Sequence, residues 1–149
     1  MTVHVRDEQD DPVDVDDLRA LAVHVLADRG VPDVMECALL LVDAATIASL
    51  NEQHLGKRGP TDVLAFPIDA PDEVVPGAPA VLGDVVLCPR IAAEQAPSFD
   101  RTPAQEHRLL TVHGILHLLG MDHAEPDEER EMFALTDRLL AAYDATDAP

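Results

Sequence analysis

Tryptophan is absent, and three phenylalanines and one tyrosine are the whole aromatic content of the 149 residues. So small a set offers little platform for stacking bases. Lysine occurs once, at Lys57, beside nine arginines and 29 acidic residues, for a net charge of −19. A protein that binds DNA or RNA without preference relies on neutralising phosphates, so this balance argues against that class and against anionic membranes. Cysteine occurs twice, at Cys37 and Cys88, each in an apolar run, and no CxxC pair exists. Buried free thiols in a reducing cytoplasm are expected, not a disulfide or a cysteine metal site. The first residues, from Met1 to Asp7, lack the basic start and apolar run of a secretory signal. No apolar run reaches the ~20 residues that span a bilayer. Leu109 to Leu119 is the longest candidate and is interrupted by histidines.

What is present is a globular pattern, 47% hydrophobic and of a length that suits one domain over residues 1–149. Thr2–Val5 reads as a strand broken by the acidic run Asp7–Asp11. Asp14 is placed to cap a helix to about Asp28, with Leu18, Leu21, Ala22, Val25 and Leu26 as its apolar stripe. Val34–Val42 is a continuous apolar run, expected to be a strand buried on both faces. Asp43 caps a second helix that ends near His54 and Gly56. Val63–Phe66 and Gly83–Leu87 read as strands. Ile68–Leu82, with Pro71, Pro76 and Pro79, reads as an irregular loop, either a lid or an inert insertion. A short helix follows Pro89. Thr102-Pro103-Ala104-Gln105 has the form of a capping box opening a helix to about Leu119, apolar nearly all round after Arg108. The last helix starts at Pro126 and runs to about Tyr143. The expected fold is α/β with an α+β-like arrangement: a mixed sheet of about four strands covered by helices.

The chemistry concentrates in His113-Gly114-Ile115-Leu116-His117-Leu118-Leu119-Gly120-Met121-Asp122-His123, which holds three of the seven histidines. His113 and His117 are one helical turn apart, about 6 Å along the axis, on one face. Gly120 offers a helix stop, and a chain that turns there brings His123 back toward the pair. Three imidazoles with a fourth position for water make a catalytic zinc site, one ion per chain, in which the bound water ionises near pH 7. Burial of the helix would keep these imidazoles neutral. Asp122 either accepts a hydrogen bond from a ligand imidazole or caps the turn. The basic spot Gly56–Asp62, with Lys57 and Arg58, is either a solvated turn or a phosphate contact beside the site.

The spacing H-x-x-x-H-x-x-G-x-x-H is that of the metzincin metalloproteases, so the helix is metzincin-like. The glutamate that serves those enzymes as general base is here Gly114. Glycine removes the base and is expected to leave open space beside the metal. The segment from His113 to His123 also resembles the H-G-x-L-H-L-x-G-[YM]-D-H signature of the YbeY family of bacterial rRNA maturation factors. Pro60-Thr61-Asp62-Val63-Leu64-Ala65-Phe66-Pro67 resembles that family's P-T-D-V-L-S-F-P segment. Leu50-Asn51 and Leu82-Gly83-Asp84-Val85-Val86-Leu87 match in the same order.

The resemblance implies a single-strand-directed, metal-dependent endoribonuclease in 16S rRNA 3′-end maturation and ribosome quality control. Zinc would be held by His113, His117 and His123. The implied partners are the 16S rRNA precursor and the small ribosomal subunit, with no DNA and no membrane. Many members carry arginine at the position of Leu55; Lys57 or Arg58 from the same loop would then supply the charge. Arg90, Arg101 and Arg108 are further candidates for phosphate contact. Two other readings stand beside this one: a ribosome-assembly factor with structural zinc, and a metzincin-like peptidase, which Gly114 disfavours.

Overall fold

The computed structural model describes residues 2–59, 61–122 and 124–147. Pro60 and His123 lie outside them. Four strands, β1 (Thr2–Asp7), β2 (Met35–Leu41), β3 (Val63–Pro67) and β4 (Ala80–Leu87), form one sheet in the order β1-β2-β4-β3. The first three in that order are parallel, and β3 runs antiparallel to β4 at the edge. The helices are α1 (Val15–Asp28), α2 (Ala44–Leu55), α3 (Pro89–Gln95), α4 (Pro103–Leu118) and α5 (Pro126–Asp147). The mixed α/β sheet of four strands is the architecture that the sequence pattern implies.

Helix starts follow their caps. The Asp14 carboxylate accepts from the Asp17 amide at 3.1 Å, and the Asp43 carboxylate accepts from the Thr46 amide at 2.8 Å. At α4 both halves of the capping box are made: Thr102 Oγ1 accepts from the Gln105 amide, and Gln105 Oε1 accepts from the Thr102 amide. Each cap satisfies amides that the first helical turn leaves without a partner.

The larger core lies on one face of the sheet. Met35, Cys37, Leu39 and Leu41 of β2 and Val85 and Leu87 of β4 meet Leu21, Val25 and Leu26 of α1 and Val112, Ile115 and Leu116 of α4. Helix α5 completes this layer with Met132, Leu139 and Tyr143. On the other face α2 covers a smaller cluster of Val42, Ile47, Leu64, Val86 and Cys88. Both cysteines are free and buried, and burial pushes the Cys37 thiol up to about 12.

Four elements differ from what the sequence pattern implies. Strand β2 is buried on one face only: Glu36 is exposed and Ala38 and Leu40 are half-buried, because the smaller cluster on that side does not reach Glu36 and Ala38. Strand β1 continues to Asp7, held by pairing of Asp7 with Leu41. Strand β4 begins at Ala80, inside the segment expected to be loop. There it pairs with β2, and the Val81 amide donates to the Asp69 carboxylate at 2.9 Å. The chain from Ile68 to Pro79 thus contains one short 3-10 turn, Pro71–Glu73, between tied ends. Helix α5 runs past Tyr143 to Asp147.

Candidate metal centre

Helix α4 lies against β3 and β4 and also touches α1, α3 and α5. Most of its surface is therefore covered. Leu109, Leu110, Thr111, Val112, Ile115, Leu116 and Leu118 are all buried. His113 and His117 are the partly buried exceptions in this stretch, and His113 Nε2 is itself buried, so the dry interior expected of the imidazoles is opened only in part. They line a gap bounded by the end of α2 and the short edge strand β3.

That gap is a cleft of about 380 Å³. One wall is Leu110, His113, Gly114 and His117 of α4. The other is Asn51, Leu55 and Lys57 with β3 residues Val63 to Ala65. It continues past His117 into a lobe of about 520 Å³ reached by Gly120, Met121 and Asp122. The turn into that lobe is built by Gly120. Its φ of +92° suits glycine, its amide donates to the His117 carbonyl, and the Met121 amide donates to the Leu116 carbonyl, both at 3.0 Å. The stop expected at Gly120 is therefore present, and it delivers Asp122 to the same cleft as His117.

Two polar residues shape the basic loop. Asn51 is 4% exposed, and its side-chain amide donates to the Gly59 carbonyl at 3.0 Å. Asp62 accepts from the Val63 amide at 2.8 Å with one oxygen and from Gln95 at 2.9 Å with the other. Together they clamp both ends of the loop that carries Lys57. The sequence reading gave neither residue a role. The signal was there in the form of an asparagine and an aspartate flanking a glycine-bounded loop.

Lys57 lines both lobes of the cleft, while Arg58 is exposed outside its lining. Leu55 also lines both lobes and is 51% exposed. The three other arginines are engaged elsewhere. Arg90 pairs with Asp11 at 2.9 Å, and Arg101 with Glu106 at 3.2 Å. Arg108 bridges Asp17 at 2.8 Å and Asp144 at 2.7 Å. None of the three lines this cleft.

Glu106 lies two turns before His113 on the same face of α4 and is 1% exposed. Burial raises its pKa; the Arg101 guanidinium pulls it down less strongly, and the Asp62 charge adds to the rise. A carboxyl whose folded pKa is raised binds more protons folded than unfolded. Its contribution to stability is therefore greatest below the ordinary value of 4.5 and declines as pH rises through the folded value. Glu106→Gln is expected to flatten that decline. Urea unfolding of both proteins between pH 4 and pH 8 tests it: parallel stability curves for variant and wild type would refute the assignment.

The donor set fits a metal of zinc's kind: two imidazoles one turn apart, both partly buried, lining one cleft. Among the described residues alone no set of three donors closes a site. The same residues show why position 114 is glycine. A Cβ built there would lie 2.4 Å from Val85 Cγ1. The expected open space beside the metal is thus occupied by β4.

The chain is of the class of α/β proteins with a four-stranded mixed sheet and a histidine-bearing helix packed on its antiparallel edge. The solution structure of TM1509 from Thermotoga maritima shares the fold, with a TM-score of 0.63 and 27% identity over 95% of this chain and 89% of that one. A family model for the endoribonuclease YbeY matches residues 4–144. The endoribonuclease YbeY of Salinispora tropica is 51% identical over 98% of each chain. That of a Nocardioides species is 50% identical over 97% of this chain and 99% of its own. That of Mycobacterium tuberculosis is 46% identical over 96% and 84%. The chain belongs to the endoribonuclease YbeY family.

Proposed function

We propose that this chain is a metal-dependent endoribonuclease that cleaves single-stranded RNA, acting on the 3′ end of the 16S rRNA precursor and in quality control of the small ribosomal subunit. Family membership supports the endoribonuclease reading. The observation that carries the metal is the placement of His113 and His117 together on one wall of a cleft whose opposite wall presents Lys57. In this reading His113, His117 and His123 hold one zinc ion per chain. When bound, zinc lowers the pKa of a water toward about 7 and takes up charge from a phosphoryl oxygen. Lys57 binds the phosphate and holds it against the histidine wall. Leu110, Val63 and Ala65 give the cleft an apolar lining beside that contact. Asp122, at the far lobe, either orients a ligand imidazole or caps the turn.

A single strand suits the electrostatics. Duplex DNA carries one charge per about 1.7 Å of axis and a single strand about half that. An acidic body with one cleft lysine is repelled less by the sparser polymer. The cytoplasm follows from an rRNA substrate, and no described helix is long and apolar enough to cross a membrane.

Lys57→Ala is expected to weaken binding of a 16S precursor fragment and reduce the salt slope of binding by about one, whereas Arg58→Ala changes it less. Equal effects of the two variants, measured by titration across salt concentration, would count against the cleft as the phosphate site. One observation favours a second reading: Leu55 leaves the cleft without a guanidinium where many of the family have one. A purely structural zinc factor would co-sediment with ribosomal subunits yet turn over no RNA.

A further inference from the structure

We propose that Phe133, which touches His113 but lies outside the cleft lining, is a base-stacking residue next to the cleft, receiving a nucleobase of a single-stranded RNA beside His113; this rests on the RNA reading above. The buried side of α5 is formed by Met132, Thr136, Leu139 and Tyr143, at helical spacing. Phe133 stands next to that stripe and remains 42% exposed. Its ring meets the His113 ring edge-to-face, with centroids 5.1 Å apart and planes at 68°. Leaving a phenylalanine half in water forgoes hydrophobic stabilisation. The fold gains nothing from that exposure, but a ligand with a flat apolar face would.

The other aromatic side chains lie away from the histidine wall, including Phe99, which at 58% is more exposed than Phe133. Phe66 packs on His54, on the α2 side of the sheet. Phe99 lies under the Arg101 guanidinium, and Tyr143 is buried. Among the described residues Phe133 alone is an exposed aromatic in contact with a histidine of the cleft wall. Stacking also answers the charge problem. A −19 protein gains little from phosphate attraction, whereas a ring binds any base through its face, independently of charge.

The test uses the absence of tryptophan. Phe133→Trp makes the sole tryptophan of the chain, and its fluorescence is expected to be quenched by a single-stranded oligoribonucleotide but not by the same chain made abasic. Phe133→Leu is expected to raise Kd and KM for that oligonucleotide about 5- to 100-fold, the range of one base–aromatic stack, with kcat and bound zinc nearly unchanged. If Phe133 only positions His113, the split reverses: kcat and zinc content fall while Kd holds, and the proposal fails. Unchanged Kd for Phe133→Leu with no quenching of the tryptophan variant, while wild type binds, also overturns it alone. Failure of wild type to bind the oligonucleotide overturns the RNA reading and this inference together.

Discussion

Replacing His113 or His117 with alanine is expected to reduce cleavage of single-stranded RNA to background and to strip bound zinc from the protein. Loss of an outer partner of a metal ligand typically costs about 10–100-fold in affinity or activity, and loss of a ligand itself should exceed that range. The two histidines share one wall of one cleft, so either substitution should have nearly the full effect, and the double variant little more. His4→Ala, on the exposed strand β1, should leave both measurements unchanged. Metal analysis of chelator-free protein, paired with the cleavage assay, reads both quantities on the same sample. Chelation of the wild type should reproduce the variants, and restored zinc should reverse it. Undiminished cleavage by a metal-free variant lacking His113, His117 and His123 would sink the metal mechanism. Retained zinc in the single variants with lost cleavage would instead point to roles for these imidazoles beyond ligation.

Much of this site was legible in the sequence because its parts are local. The pair at i, i+4 needs only a helix, and that helix announces itself through Thr102, Pro103 and Gln105. The turn needs only Gly120. What could not be read is set by partners distant in sequence. Phe133 meets His113 because α5 packs on α4, and nothing in the local pattern of either fixes that register. Glu106 resembles an ordinary first-turn acid of α4, yet it is buried with Arg101. The start of β4 at Ala80 is decided by β2 and by Asp69, not by the residues of β4 themselves. The histidines were expected in a dry interior because α4 is apolar nearly all round. They are instead only partly buried, with His113 Nε2 still inside, because the sheet ends beside them.

Gly114 lacks a side chain, yet the space beside it is filled by Val85. A missing side chain means open space only if nothing lies where the side chain would go. Here Val85 does, with Cγ1, Cγ2 and Cβ at 2.4, 3.1 and 3.3 Å from that position, and it is 1% exposed within the core. The facing strand repeats the device at Gly83, where a Cβ would fall 2.4 Å from the Phe66 carbonyl oxygen and 2.8 Å from Leu118 Cδ2. One glycine from the helix and one from the sheet therefore let α4 lie close on β3 and β4, and the histidine wall stands where that contact puts it. Gly114→Ala gains up to about 1 kcal/mol in helix propensity but overpacks the core, a cost of about 1–3 kcal/mol. It should be net destabilising, and Val85→Ala in the same chain should recover part of the loss, because the clash is between these two positions. Gly83→Ala should cost more, about 3 kcal/mol or above, since its nearest neighbour is backbone and cannot rotate away. Chemical denaturation of the four proteins measures this; a Gly114→Ala variant more stable than wild type, or one that Val85→Ala does nothing to relieve, would refute the close contact. The same geometry bears on the peptidase reading. A glutamate at position 114 would have to begin with a Cβ inside Val85. Gly114→Glu should therefore unfold or displace α4 and yield no peptide hydrolysis, and the protease base cannot be restored here by one substitution.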